Sequence, residues 1–305
     1  MKNIGLVSLL ATLLFFGCEV KEKKSDSSKL QILTTTGMLY DAVTNIAKDK
    51  VDVEALMGPG VDPHLYKASQ GDLSKLNNAD IVFYNGLLLE GKMSEILDKL
   101  ARIKPIVAAA NSIPDSLLLT AAHYENAFDP HIWFDVNIWK YAIEEISKSL
   151  QKHDSANADF YAQNTKGYLL GLDTLHSYVR QKIQSIPEKQ RILVTAHDAF
   201  GYFGKAYEIE VVGLQGISTV SDFGLRDISN LTDLIMENNI KAIFIETSVS
   251  DKAINAVVTG CQNKGHDVKI GGSLYSDAMG PFDTAEGTYI GMVKKNVDVI
   301  TESLR

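Results

Sequence analysis

The chain has 305 residues, 45% of them apolar and 22% charged, with a formal net charge of −8 at neutral pH. That is enough chain for two ordinary domains, each with its own core, and the composition is that of a globular protein. No basic run occurs beyond residues 21–24, too few cations to neutralise a phosphate backbone, so the pattern argues for no nucleic-acid partner.

The start is Met1-Lys2-Asn3, followed by nearly unbroken apolar sequence over residues 4–16 and then Gly17-Cys18. The apolar run is too short to span a bilayer comfortably and has the length of an export-signal core. The Gly-Cys that ends it resembles the lipobox of bacterial lipoproteins, with Phe15 where that pattern usually has Leu. The resemblance makes Cys18 the lipid-modified first residue of the mature chain, anchored to the membrane, and places the protein in the periplasm or on the outer face of the cell membrane. Cys261 is then the one other cysteine, which excludes an intrachain disulfide and a thiolate metal cluster. It falls in a helical stretch and is expected to be a small buried hydrophobe. Residues 19–29 are charged and serine-rich, with almost nothing to bury, and read as a flexible tether.

From residue 30 the signals alternate. Residues 30–33 read as a strand, 38–48 as a helix with apolar Leu39, Ala42, Val43, Ile46 and Ala47, and 51–57 as a second strand. Met57-Gly58-Pro59-Gly60 closes that strand in a turn, and Asp62-Pro63-His64 follows. Residues 68–77 predict a helix, 81–84 a strand, 88–101 a helix and 106–109 a short strand, a βαβ series that implies a parallel sheet with right-handed crossovers. The connection 111–129 has little internal pattern, and loops of that length inside a compact domain tend to be functional. It delivers a second Asp-Pro-His at Asp129-Pro130-His131. In each copy proline fixes its own φ and drives the preceding Asp out of the α region, so the imidazole sits on a stiffened, non-helical corner.

Residues 137–151 predict an amphipathic helix, and a longer one runs over 155–186 until Pro187 stops it. Its residues Tyr161, Tyr168, Leu172, Leu175, Val179, Ile183 and Ile186 keep one face apolar throughout. Such a helix extends roughly 45 Å, which suits a strut between two lobes. Gly167 and Gly171 each cost about 1 kcal/mol of helix propensity, which a close packing contact would explain. The alternation then restarts, with strands at 191–195, 211–214, 242–245 and 268–271 and helices at 200–207, 227–238, 251–264 and 284–304. The fold class expected is α/β, two parallel-sheet lobes joined by one long rigid helix. The divisions are 1–18 for the signal, 19–29 for the tether, 30–153 for the first lobe, 154–187 for the connecting helix and 188–305 for the second lobe.

Ligands of parallel sheets bind beyond the carboxyl ends of the strands, where His64, His197 and Asp277 fall. Of the seven histidines, His153 and His176 lie on polar or mixed helix positions and are predicted to face solvent. His266 follows Gly265 at a helix end, and His123 lies in the long connection. His64, His131 and His197 remain. Taken singly, His197 is also explained as a turn residue before an Asp198 N-cap, and Asp277 as an ordinary loop carboxylate. Together they offer three imidazoles and one carboxylate, a set that divalent transition metals accept.

The chain resembles the cluster A-I solute-binding lipoproteins of zinc and manganese ABC importers, the TroA-like periplasmic family, over about residues 30–305. The resemblance is carried by Gly58-Pro59-Gly60-Val61-Asp62-Pro63-His64, by Asp129-Pro130-His131-Ile132-Trp133, by Thr195-Ala196-His197-Asp198-Ala199-Phe200-Gly201-Tyr202-Phe203 and by Phe244-Ile245-Glu246-Thr247-Ser248. It continues through Ser276-Asp277-Ala278-Met279-Gly280 and Glu286-Gly287-Thr288-Tyr289. It implies a transported Zn2+ or Mn2+ in the cleft between the lobes, held by His64 and His131 from the first and His197 and Asp277 from the second. It further implies an ABC permease as partner, a monomer, and no enzymatic activity. Members with Glu at the third ligand position tend towards manganese, and His197 stands there; the His-rich loop of zinc-specific members is missing, since residues 111–128 contain only His123. Both metals stay open, although three imidazoles and the Irving–Williams order favour zinc. Glu246, at the end of an apolar strand, is a candidate to orient an imidazole from behind, or else to cap the segment after it. A zinc-dependent hydrolase would need an open coordination position and a general base, and no His-Glu-x-x-His pair occurs. A binding protein for an organic solute would show a cleft of aromatic and polar groups in place of converging imidazoles.

Overall fold

A computed structural model describes residues 29–305 apart from 122–126 and 222. The export signal, Cys18, the tether through residue 28 and His123 lie outside the described residues. Strands β1 (Leu30–Thr34), β2 (Val51–Ala55), β3 (Ile81–Tyr84) and β4 (Ile106–Ala108) form one parallel sheet in the order β2-β1-β3-β4. Ile32 stands opposite both Val53 and Ile81, so the centre of the sheet is apolar on neighbouring strands. Helix α1 (Gly37–Ala47) lies on this sheet through Met38, Leu39, Ala42, Val43 and Ile46, the stripe that the sequence spacing predicts. Helix α2 (Gln70–Asn78) starts from a capping box in which Ser69 and Asp72 each take the other's backbone N–H. Helix α3 (Ser94–Leu100) is shorter than the expected 88–101, because Leu87 and Leu88 have φ of 53° and 64°, which an α-helix does not admit.

Helix α4 (Val136–His153) is capped by Asp135, whose carboxylate accepts the Asn137 N–H at 2.8 Å. Helix α5 (Ala158–Gln184) is the long connection; residues 155–157 form a separate 3-10 turn, so it starts later than expected and runs for about 40 Å. Its buried residues are Tyr161, Thr165, Tyr168, Leu172, Leu175, Val179 and Ile183. Gly171 makes only an ordinary contact with Ile290, and Gly167 faces open space, so the close packing expected at Gly167 is not there.

Beyond α5 come β5 (Ile192–His197), α6 (Gly201–Tyr207), β6 (Glu210–Gln215), α7 (Leu225–Glu237), β7 (Ala242–Glu246), α8 (Lys252–Asn263), β8 (Lys269–Leu274) and α9 (Tyr289–Leu304). β5 pairs in parallel with β6, and β7 with β8, while β5 runs beside β7. The second parallel layer is therefore two hydrogen-bonded pairs, in place of one continuous ladder. Helix α9 begins at Tyr289, five residues later than expected, where Thr288 accepts the Gly291 N–H at 3.1 Å. Helix α5 packs on α1 and α4 from the first lobe and on α6 and α9 from the second. One continuous core passes through it, from Ile46 and Trp139 to Phe200, Tyr207 and Tyr289. The connecting helix is thus a wall shared by both lobes. Cys261 is fully buried in a separate core of the second lobe, as expected for a small hydrophobe. Among the described residues no helix is long and apolar enough to cross a membrane.

Candidate metal centre

The site begins with strand ends. His197 is the last residue of β5 and Glu246 the last of β7, so neighbouring strands place them side by side. The Glu246 carboxylate accepts the His197 backbone N–H at 2.8 Å and its Nδ1–H at 2.5 Å. That fixes both the ring plane and the tautomer, and leaves Nε2 with its lone pair free to face the cleft. Asp198 is not the helix cap: α6 starts at Gly201, with Phe200 in the capping position. Asp277 follows β8 on a buried loop and is 2% exposed.

The two Asp-Pro-His corners supply the other side. In each, the Asp accepts the backbone N–H of the His two residues on, at 2.8 Å for Asp62 and 2.9 Å for Asp129, the local turn for which Asp is suited. Asp129 also accepts the Nδ1–H of His131 at 2.7 Å. His131 abuts the edge of Trp133, whose indole N–H donates to Ser276 O at 3.1 Å in the other lobe. Tyr289 and Tyr202, both from the second lobe, donate to Trp133 O at 2.7 Å and Asp129 O at 2.9 Å. His131 is therefore seated where the lobes are joined.

His64, His131, His197 and Asp277, all buried, each offer one donor atom to a group within 4.8 Å. His64 Nε2 lies 3.3 Å from His131 Nε2; Asp277 Oδ1 lies 3.3 Å from His131 Nε2, and Asp277 Oδ2 lies 3.3 Å from His197 Nε2 and 3.8 Å from His64 Nε2. A tetrahedral ion with bonds of about 2.0–2.1 Å has ligand–ligand edges of about 3.3–3.4 Å, and the separations of His64 from His131 and of His197 from Asp277 Oδ2 have that length, while His131 meets the other oxygen of the same carboxylate. His197 Nε2 and both Asp277 oxygens are buried without a hydrogen bond of proper geometry. Such atoms are costly to leave unsatisfied unless something else coordinates them.

The electrostatics separates the imidazoles. Burial drives His64 down to about 3, with Asp277 only partly offsetting it, so this ring stays neutral. Burial acts the same way on His131 and His197, but there the carboxylates win. Asp129 and Asp277 lift His131 to about 9, and Glu246 and Asp277 lift His197 well above the ordinary range. Burial would raise Asp277, yet His197 and His131 hold it well below the usual carboxylate value. Both raised imidazoles favour the protonated form, so protons compete with a divalent ion for these two rings.

The remaining histidines stand apart. His153 is exposed, as predicted. His176 is not: it is half-buried, near Asn137 of α4 and 3.2 Å from the Tyr207 hydroxyl of α6, because α5 brings that helix face against both lobes. His266 is held by Ile240 O at 2.8 Å. Sequence reasoning missed the part played by Asp129 behind His131, although the signal lay within the Asp-Pro-His motif itself. It also missed Thr219, whose hydroxyl reaches Asp62 at 2.6 Å and which no motif marks.

Residues 32–303 match the family model of the zinc-uptake complex component A, periplasmic. The chain is 51% identical over 298 residues to the manganese-binding lipoprotein MntA of Bacillus subtilis, covering 97% of each chain. It is 47% identical over 284 residues to the zinc-binding protein TroA of Treponema pallidum, covering 93% of this chain and 91% of that one. The solved structure of the periplasmic zinc-binding protein TroA from Treponema pallidum superposes with a TM-score of 0.89 at 48% identity, covering 90% of this chain and 99% of that one.

Proposed function

We propose that this chain, which belongs to the family of periplasmic zinc-uptake component A proteins, captures one divalent transition metal outside the cytoplasm and delivers it to an ABC permease. The observation that carries the proposal is the convergence of four buried donor atoms from His64, His131, His197 and Asp277: those of His197 and Asp277 have no hydrogen-bond partner, and those of His64 and His131 meet each other. His64 and His131 hold the ion from the first lobe, residues 30–153, and His197 and Asp277 from the second, residues 188–305. The two parallel layers on either side of the connecting helix support that division.

Asp129 and Glu246 orient His131 and His197 from behind, as carboxylates do for metal-bound imidazoles. Both are thereby engaged, so neither serves as a free general base, and four protein donors fill a tetrahedral shell. This favours binding over hydrolysis, and the chain acts as a monomeric carrier with no catalytic role. Its anchor is the lipid on Cys18. Three imidazoles favour zinc over manganese at a shared site, while the named relatives include one binding manganese and one binding zinc. The supply of metal then decides what is carried. Elemental analysis of the purified, tag-free chain after zinc challenge tests the proposal: about one ion per chain is expected, and none would remove it.

A further inference from the structure

The two Asp-Pro-His corners differ in one respect. Asp129 spends Oδ1 on both nitrogens of His131, backbone and ring, and Glu246 holds both nitrogens of His197 with one oxygen each. Asp62 takes only the backbone N–H of His64, and among the described residues no carboxylate stands behind the ring nitrogen Nδ1 of His64. The second oxygen of Asp62 crosses the cleft instead, accepting the Thr219 hydroxyl at 2.6 Å.

Thr219 lies in the loop that follows β6, and that loop is tied to the site from its other end. Gln215, the last residue of β6, stands opposite His197 in the parallel register. Its side-chain amide donates to Thr219 O at 2.8 Å and to Ser221 O at 2.6 Å. A continuous path thus runs from the strand of His197 through Gln215 and Thr219 to Asp62 and His64. Ile217 and Val220 of this loop, with His64, Leu88 and Pro130, line a cavity of about 270 Å3 between the lobes. His64 is the one ligand that faces this cavity, and the one without a carboxylate brace.

We propose that Thr219 is a positioning residue for metal retention: its hydroxyl latches Asp62 across the cleft, holds His64 over the ion, and must let go before the ion leaves. This rests on the capture-and-delivery reading and specifies its release step. His64 is the ligand that departs, while His131 and His197 stay braced. Because the latch joins groups that already meet in the closed cleft, it acts on dissociation more than on association.

The test is a chelator chase by stopped flow on the zinc-loaded full chain, comparing wild type, Thr219→Val, Thr219→Ser and Gln215→Ala. A hydrogen bond to a carboxylate is worth at least about a tenfold change in an equilibrium constant. Zinc should therefore leave Thr219→Val at least about tenfold faster, with an association rate close to that of wild type. Thr219→Ser, which keeps the hydroxyl, should restore slow release, and Gln215→Ala should speed release in the same direction if Thr219→Val does not fold. Release from Thr219→Val and Gln215→Ala at the wild-type rate overturns the latch and leaves the capture reading standing, as does equally fast release from the serine variant. A wild-type chain that takes up no zinc overturns the capture reading, and the latch falls with it.

Discussion

Glu246→Gln is the substitution that asks most of the site geometry. Glu246 is 4% exposed and faces two donors, the His197 N–H at 2.8 Å and the Nδ1–H at 2.5 Å. A glutamine has one acceptor oxygen, so it satisfies one donor and sets its own NH2 against the other. The relief open to the imidazole is to move its proton from Nδ1 to Nε2, which is the nitrogen the metal needs. The cost is thus larger than that of one neutral hydrogen bond, about 0.5–1.5 kcal/mol. Loss of a carboxylate behind a metal-bound imidazole lowers affinity by about 10–100-fold, equivalent to roughly 1.4–2.8 kcal/mol. The assay is competition for zinc against a chromophoric chelator at fixed pH, with circular dichroism to show that the variant is folded. A folded Glu246→Gln chain whose zinc affinity lies within twofold of wild type would refute the orienting role and return Glu246 to an ordinary buried polar group.

Alanine at His64, His131, His197 or Asp277 should weaken zinc binding severely by the same titration, whereas His153→Ala, on an exposed helix position, should match wild type. Protons compete with the ion for His131, raised to about 9, and for His197, raised well above the ordinary range. Affinity should therefore fall as pH falls, with protons released on binding near pH 7 when binding heats are compared in buffers of different ionisation enthalpy; pH-independent affinity between 5 and 7.5 would contradict this. Gly213→Ala would put a methyl group 2.5 Å from the backbone nitrogen of Asp198, next to His197. It should cost about 1–3 kcal/mol in chemical denaturation and weaken zinc binding as well; an unchanged midpoint would show that the strand pair yields more easily than its packing implies.

Local chemistry was legible from the chain alone. The alternation of apolar runs gives the order of strands and helices, because a period of two or of 3.6 is set by backbone geometry. The repeated Asp-Pro-His tripeptide marks two stiff corners, because proline and the preceding Asp restrict each other within three residues. The apolar residues of the buried stripe of α5 could be read from Tyr161 to Ile183, although the buried Thr165 between them was not. Where the reading slipped, at the starts of α3, α5 and α9, the cause lay in positive φ angles and 3-10 turns that apolar spacing does not encode.

The tertiary structure alone decided which atoms meet. Glu246 could have been a cap or a brace; the side-by-side run of β5 and β7 makes it a brace. Gly167 promised a packing contact and has none, because the neighbour of a helix face is chosen by the whole fold. Asp62 and Thr219 are 157 positions apart, and no local period or motif links residues at that separation. Sequence thus determined the donors and the corners that carry them, since those depend on bonds within a few residues. Distances of 3.3 Å between donors, the carboxylate that stands behind His197 and the bond that closes Asp62 across the cleft depend on how two lobes pack against one shared helix, which only the folded chain settles.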